Sequence, residues 1–136
     1  MAMPDGMLIP VIRGAEKLSL IELAAVSRDL VERARKKKLL PSEYSGATFT
    51  VSNLGMFGMR SFAAIIPPPQ AGILAVGAAE IVPKWDGTSW VPVPAAALVL
   101  SVDHRVADGA QAARFLNQVR ALIEGFDPAR MGGMAS

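Results

Sequence analysis

The sequence contains no cysteine, which removes disulfides, thiolate metal sites and thiol nucleophiles together. It holds a single histidine, one tyrosine and two tryptophans. No apolar run reaches the roughly 18 residues that a membrane span needs. The opening Met-Ala-Met-Pro-Asp-Gly also lacks the basic-then-apolar pattern of a secretory leader. Charge is scarce, at 19% of 136 residues, and its 14 basic against 12 acidic side chains give no nucleic-acid signature. What the chain has in quantity is apolar surface, with 51% hydrophobic residues, so disorder is excluded. A domain of this length buries about two-thirds of the surface of its unfolded chain. The apolar surplus therefore predicts an exposed patch and a partner to cover it. A cytoplasmic protein without a membrane segment, built as one domain over 1–136, is expected.

Leu8 to Ile12 is a short apolar run broken by Pro10, which reads as an edge strand or the end of one, closed by Gly14. Ser19 and Glu22 stand at the spacing of a capping box and open a helix. Its apolar stripe runs through Leu20, Leu23, Ala24, Leu30, Val31 and Ala34. Asp29 with Arg33 and Glu32 with Lys36 are spaced for ion pairs on the opposite face. The cations Arg35 to Lys38 suit the helix end, and Pro41 stops it. From Ala47 the period changes to two, with Thr48, Thr50 and Ser52 alternating with Phe49 and Val51 in a half-buried strand. Asn53 to Gly58 reads as a turn, and Pro67 to Pro69 as an extended connection. Ile73–Val76 and Ala79–Val82 have strand length, and Asp86-Gly87 marks a hairpin turn returning through Trp90 to Val93. The continuous apolar run Ala96 to Val102 is expected as the central strand. A second amphipathic helix follows Asp108-Gly109, with Ala112, Phe115, Leu116, Val119, Leu122 and Ile123 on one face.

The lone histidine, His104, lies between the strand ending at Val102 and this second helix, inside Asp103-His104-Arg105-Val106-Ala107-Asp108-Gly109. A neutral imidazole suits proton transfer near pH 7, and a strand end would hold it rigidly while facing open space. The plainer alternative is a polar turn with Asp108 as helix N-cap.

Asp-His-Arg-x-x-Asp-Gly resembles the signature of the dihydrolipoamide acyltransferases, the E2 components of the 2-oxo acid dehydrogenase complexes. Three further stretches are similar to that family and stand in its order. They are Gly6-Met7-Leu8-Ile9-Pro10-Val11-Ile12, Phe49-Thr50-Val51-Ser52-Asn53-Leu54-Gly55-Met56-Phe57-Gly58, and Pro68-Pro69-Gln70 followed by Ile73-Leu74-Ala75-Val76-Gly77. The resemblance implies an α+β fold like that of chloramphenicol acetyltransferase, a mixed sheet with flanking helices, here truncated at its N-terminal side. It implies acyl transfer, acetyl first, between dihydrolipoamide and coenzyme A as substrates, with no metal.

By the same resemblance His104 is the general base that deprotonates a thiol, and Ser52 donates a hydrogen bond to the oxyanion. Asp108 is the carboxylate that pairs with an arginine and shapes the histidine loop, the arginine being left open between Arg105 and Arg13. Asn53, Met56 and Phe57 would contact the substrates, with Met56, Phe57 and Met59 lining the lipoamide channel; the bland alternatives are a strand-end hydroxyl bonded to its own backbone for Ser52 and ordinary loop packing for Met56, Phe57 and Met59. The cluster Arg33 to Lys38 reads either as a solvated helix end or as a phosphate site for coenzyme A. The family's site lies between subunits, so a homotrimer is implied, with a larger cubic core and the E1 and E3 components as further partners. Pro67 stands where the family has asparagine, and the tail from Asp127 to Met134 lacks the family's closing leucines. The competing reading is an inactive scaffold or assembly fragment of an E2 core.

Overall fold

The computed structural model describes residues 2–3 and 6–127, with side chains from residue 8. The expected tail departures from residue 128 onward lie outside the described residues. Two compact units are formed, one by residues up to Ala47 together with the stretch from Glu124, the other by Thr48–Ile123.

In the first unit, β1 (Ala2–Met3) and β2 (Gly6–Met7) form a short antiparallel pair. Helix α1 (Leu20–Arg35) starts as its sequence dictates. The Glu22 carboxylate accepts the Ser19 backbone N–H at 2.8 Å, and the Ser19 hydroxyl accepts the Glu22 N–H at 3.3 Å. Arg33 meets Asp29 at 2.8 Å as expected, but its guanidinium also forks onto both carboxylate oxygens of Glu43 at 2.7 and 2.6 Å. That fork, with the Leu40 N–H, holds the Glu43 carboxyl down at about 2, well below its ordinary range. The Glu43 carbonyl then accepts the Val11 N–H at 2.7 Å. No ion pair joins Glu32 and Lys36 among the described residues. Leu8 to Ile12 follows the short strand β2 without continuing it: Pro10 lacks an N–H, and the Val11 N–H goes to the Glu43 carbonyl.

The second unit is a mixed sheet in the order β3 (Thr50–Asn53), β4 (Gly72–Trp85), β5 (Trp90–Val102). Strand β3 runs parallel to β4, and β4 antiparallel to β5. Helix α2 (Gly109–Glu124) follows, and Phe115 on it stacks against Phe49, with ring centroids 5.9 Å apart. The four apolar segments expected after Ile73 join into two long strands. Pro83 lies directly opposite Pro92, a rung that must be non-hydrogen-bonded because neither residue has an N–H to give. Prolines therefore sit in these strands without breaking the ladder. The central strand is β4, not the Ala96–Val102 run, which forms an edge among the described residues. Burial follows pairing: Gly72 to Ala75 are buried where strands flank β4 on both sides.

The alternation in β3 is real, but the buried side is the polar one. Thr50 is 7% exposed and Val51 63%. At the far end of the β4–β5 hairpin Trp85 and Trp90 meet edge to face at 5.6 Å. There the Asp86 carboxylate accepts the N–H groups of Thr88 and Ser89, which lower it to about 2. No helix among the described residues is long and apolar enough to cross a membrane.

A register shift between Val76 and Ala79 marks a bulge in β4. Chain 54–60 lies directly over it, with the Ala78 N–H donating to the Met59 carbonyl at 2.8 Å. A Cβ on Gly77 would collide with the Arg60 carbonyl, and one on Gly55 would stand 2.8 Å from the Gly77 carbonyl oxygen. Both obstacles are backbone and cannot swing aside. Gly77→Ala should therefore destabilise the protein by about 2–3 kcal/mol in urea unfolding; a loss below about 0.5 kcal/mol would show that the loop moves freely.

Candidate functional site

All six candidate residues belong to the second unit. Ser52, Asn53, Met56 and Phe57 are brought together by β3 and the 3-10 turn Gly55–Phe57 that follows it. This turn is local chemistry: the Asn53 side-chain oxygen accepts the Gly55 N–H at 2.9 Å, an Asx turn that bends the chain as it leaves the sheet. Asn53 is thus engaged in shaping the loop, while Met56 at 82% and Phe57 at 67% exposure present flexible and aromatic apolar surface.

Engagement separates the polar groups of β3. The Thr50 hydroxyl donates to Gln70 at 2.6 Å and Asn53 holds Gly55. The half-buried Ser52 hydroxyl makes no hydrogen bond among the described residues, so the alternative of a hydroxyl bound to its own backbone is not realised.

The histidine loop is built in the same way. The Asp103 N–H donates to the Ala71 carbonyl at 2.8 Å and carries the β5 edge one residue beyond its last rung. The Asp103 carbonyl then accepts the N–H groups of Val106 and Ala107, closing the turn that displays His104 to solvent. The Asp103 carboxylate takes the Arg105 guanidinium at 2.6 Å and the Arg105 backbone N–H at 3.0 Å. These contacts hold it down at about 2. Asp108 receives the Gln111 N–H at 2.7 Å, while its own N–H donates to the Gln111 side chain at 2.8 Å, a reciprocal cap on α2. Among the described residues Asp108 pairs with no arginine: Arg105 is on Asp103, and Arg13 is on the carbonyls of Ser42 and Ser45. Exposed and capping a helix, Asp108 here takes its plainer role.

The register sets how far apart the two reactive groups stand. Ser52, Ala75 and Val99 share one rung, and Val102 pairs with Gly72 three rungs away on the opposite edge strand. At about 3.3 Å per residue and 4.8 Å per strand, Ser52 and Val102 are about 14 Å apart. Asp103 leads the chain further in the same direction. Ser52 and the root of the His104 turn therefore lie on opposite edge strands of the chain's sheet. The structure does not join these two groups into one site, nor does it bring Asn53, Met56 or Phe57 to the histidine side.

Sequence reasoning passed over Thr50 and Gln70, whose hydrogen bond spans twenty positions. The available signals were the shared face of Thr50 and Ser52 at period two and the Gln that follows the three prolines.

Residues 1–132 match the family model for 2-oxoacid dehydrogenases acyltransferase (catalytic domain). The acetyltransferase component of the mitochondrial pyruvate dehydrogenase complex of Schizosaccharomyces pombe is 48% identical over 126 residues, which is 90% of this chain and 26% of that protein. A solved structure of Azotobacter vinelandii dihydrolipoamide acetyltransferase superposes with a TM-score of 0.87 at 45% identity, covering 90% of this chain and 50% of that one. That work concerns the role of a serine, a histidine and an asparagine in its catalytic mechanism. The cubic core of the pyruvate dehydrogenase multienzyme complex gives a TM-score of 0.87 at 44% identity, with the same coverage. The chain thus spans half of the solved chains it matches and about a quarter of that curated relative.

Asp108→Ala should destabilise the protein by about 1 kcal/mol through loss of the cap, and Asp108→Asn by less than about 0.5 kcal/mol, because asparagine caps equally well. Thermal melting checks this; equal melting of the alanine variant and the wild type would refute the capping role.

Proposed function

The chain belongs to the 2-oxoacid dehydrogenase acyltransferase family, and from that membership we propose that it moves an acetyl group between dihydrolipoamide and coenzyme A. The observation that carries the assignment of residues is spacing. Ser52, His104 and Asp108 follow one another at the same intervals as the serine, histidine and asparagine of the Azotobacter enzyme. The acetyl choice is supported by the naming of the yeast relative and the Azotobacter structure as acetyltransferases.

The chemistry needs few groups. His104 takes the proton from the thiol of coenzyme A or dihydrolipoamide, and the thiolate attacks the carbonyl carbon of the other partner's thioester. The carbonyl oxygen gains negative charge, to which the Ser52 hydroxyl donates a hydrogen bond. Collapse expels the second sulfur as thiolate, and the proton on His104 passes to it. Neither side chain makes a hydrogen bond among the described residues, which supports these roles. Asp108 holds the loop through the helix cap, so its effect is on geometry. Asn53, Met56 and Phe57 would line the entrance on the serine side, where flexible apolar side chains suit a dithiolane arm.

Because Ser52 and the root of the His104 turn stand about 14 Å apart on opposite edge strands of one chain, the reading is that a working site takes its serine from one copy and its histidine from another. A ring of three copies satisfies this, and the likeness to a cubic core supports such assembly. The exposed surface points the same way. Beyond the bulge β4 and β5 form a two-stranded ribbon with Ile81 69% exposed, and such a ribbon is marginal by itself. Larger assemblies of these rings would then meet the E1 and E3 components of the complex.

The test is transfer from acetyl-coenzyme A to free dihydrolipoamide by the purified chain. His104→Ala should lower kcat by about 10³-fold and Ser52→Ala by about 10²-fold while leaving the fold intact. Equal rates in wild type and His104→Ala would refute the assignment, and no transfer by a folded, associated wild type would favour a scaffold.

A further inference from the structure

We propose that Thr50 and Gln70 are positioning residues that hold the Ser52 strand and the His104 loop of one chain at a fixed spacing, an inference that rests on the acyl-transfer reading above. The Thr50 hydroxyl donates to the Gln70 side-chain oxygen at 2.6 Å, and Thr50 is among the most buried polar residues of the chain. Residues two apart in a strand share a face, so the Gln70 amide meets β3 on the face that carries the Ser52 hydroxyl. Gln70 itself stands on restrained backbone: its N–H closes a turn onto the Pro67 carbonyl at 3.0 Å, across two further prolines. The next carbonyl, that of Ala71, accepts the Asp103 N–H at 2.8 Å, and the Asp103 carbonyl in turn holds the Val106 and Ala107 N–H groups around His104. A continuous path therefore runs from the serine strand to the histidine turn, and its one side-chain step is Thr50 to Gln70.

That step adds a side-chain tie, at the start of β3, to the register its rungs set with β4. The strand has four residues and pairs only with β4. In the shared-site arrangement, each chain lends Ser52 to one site and His104 to the next. An error in their spacing then misplaces a reacting group in one of two neighbouring sites, and a displacement of about 1 Å can cost about a hundredfold in rate. The bond makes that spacing a property of the single chain.

Thr50→Val removes the donor and keeps the shape; Gln70→Leu removes the acceptor from a half-buried position; Thr50→Ser keeps the donor. In the assembled protein each of the first two should lower kcat about tenfold with KM for both substrates within about twofold. The double variant should be no slower than either single, since both break one interaction. Thr50→Ser should hold kcat within about twofold of wild type. His104 is the chain's only histidine, so its ring protons give an isolated NMR signal. This signal should move in Thr50→Val and Gln70→Leu and stay in place in Thr50→Ser. Wild-type kcat in both singles, or losses that multiply in the double, would overturn the proposal. A wild type without transferase activity would overturn the acyl-transfer reading instead. The histidine signal then decides on the bridge alone, and an unmoved signal in both singles overturns it. Should Thr50→Val fail to fold, Gln70→Leu carries both readouts.

Discussion

The constraint on which the second unit depends is the double pairing of the first residues of β4. Only there does a strand have neighbours on both sides, and only there are consecutive apolar side chains buried, at Ile73, Leu74 and Ala75. The same rungs measure out the candidate site. Thr50 is aligned with Ile73 and Ser52 with Ala75, while Gly72 faces Val102 at the root of the histidine turn. A slip of one residue would carry Thr50 and Ser52 to the opposite face and break the link to Gln70. Packing, strand register and the placement of the reactive groups are therefore one arrangement.

The glycines at the bulge extend this logic. Gly55 and Gly77 allow chain 54–60 to lie against the β4 backbone at a distance that no side chain tolerates. The loop that presents Met56 and Phe57 is thereby held from beneath while its outer surface stays uncovered. No large side chain among the described residues is completely buried. A chain with half its residues apolar and so small an interior leaves much apolar surface exposed.

Local signals were legible in the sequence, and pairings at a distance were not. The Ser19–Glu22 capping box, the Asp29–Arg33 pair and the Asp86-Gly87 hairpin are short-range devices, and each forms where the spacing places it. Glu43 on Arg33 and Gln70 on Thr50 join residues that no periodicity relates. The run Leu8 to Ile12 extends no strand, because an apolar run needs a partner strand and the described residues place none beside it. The central-strand reading of Ala96 to Val102 failed because apolar content does not reveal which strand has two neighbours; β4 holds that place. For the site, the motif around His104 and the separate stretch from Phe49 to Gly58 marked the two candidate residues on the chain. Their separation within one chain emerged only from the register.

The central claim is that the reactive serine and histidine come from different copies. Mixing inactive Ser52→Ala chains with inactive His104→Ala chains, after dissociation and reassembly together, tests it most directly. Random assembly at equal amounts should restore about a quarter of wild-type acetyl transfer, because that fraction of shared sites pairs an intact serine with an intact histidine. A mixture as inactive as its components, although the two chains are shown to co-assemble, would contradict the shared site and with it this account of the structure.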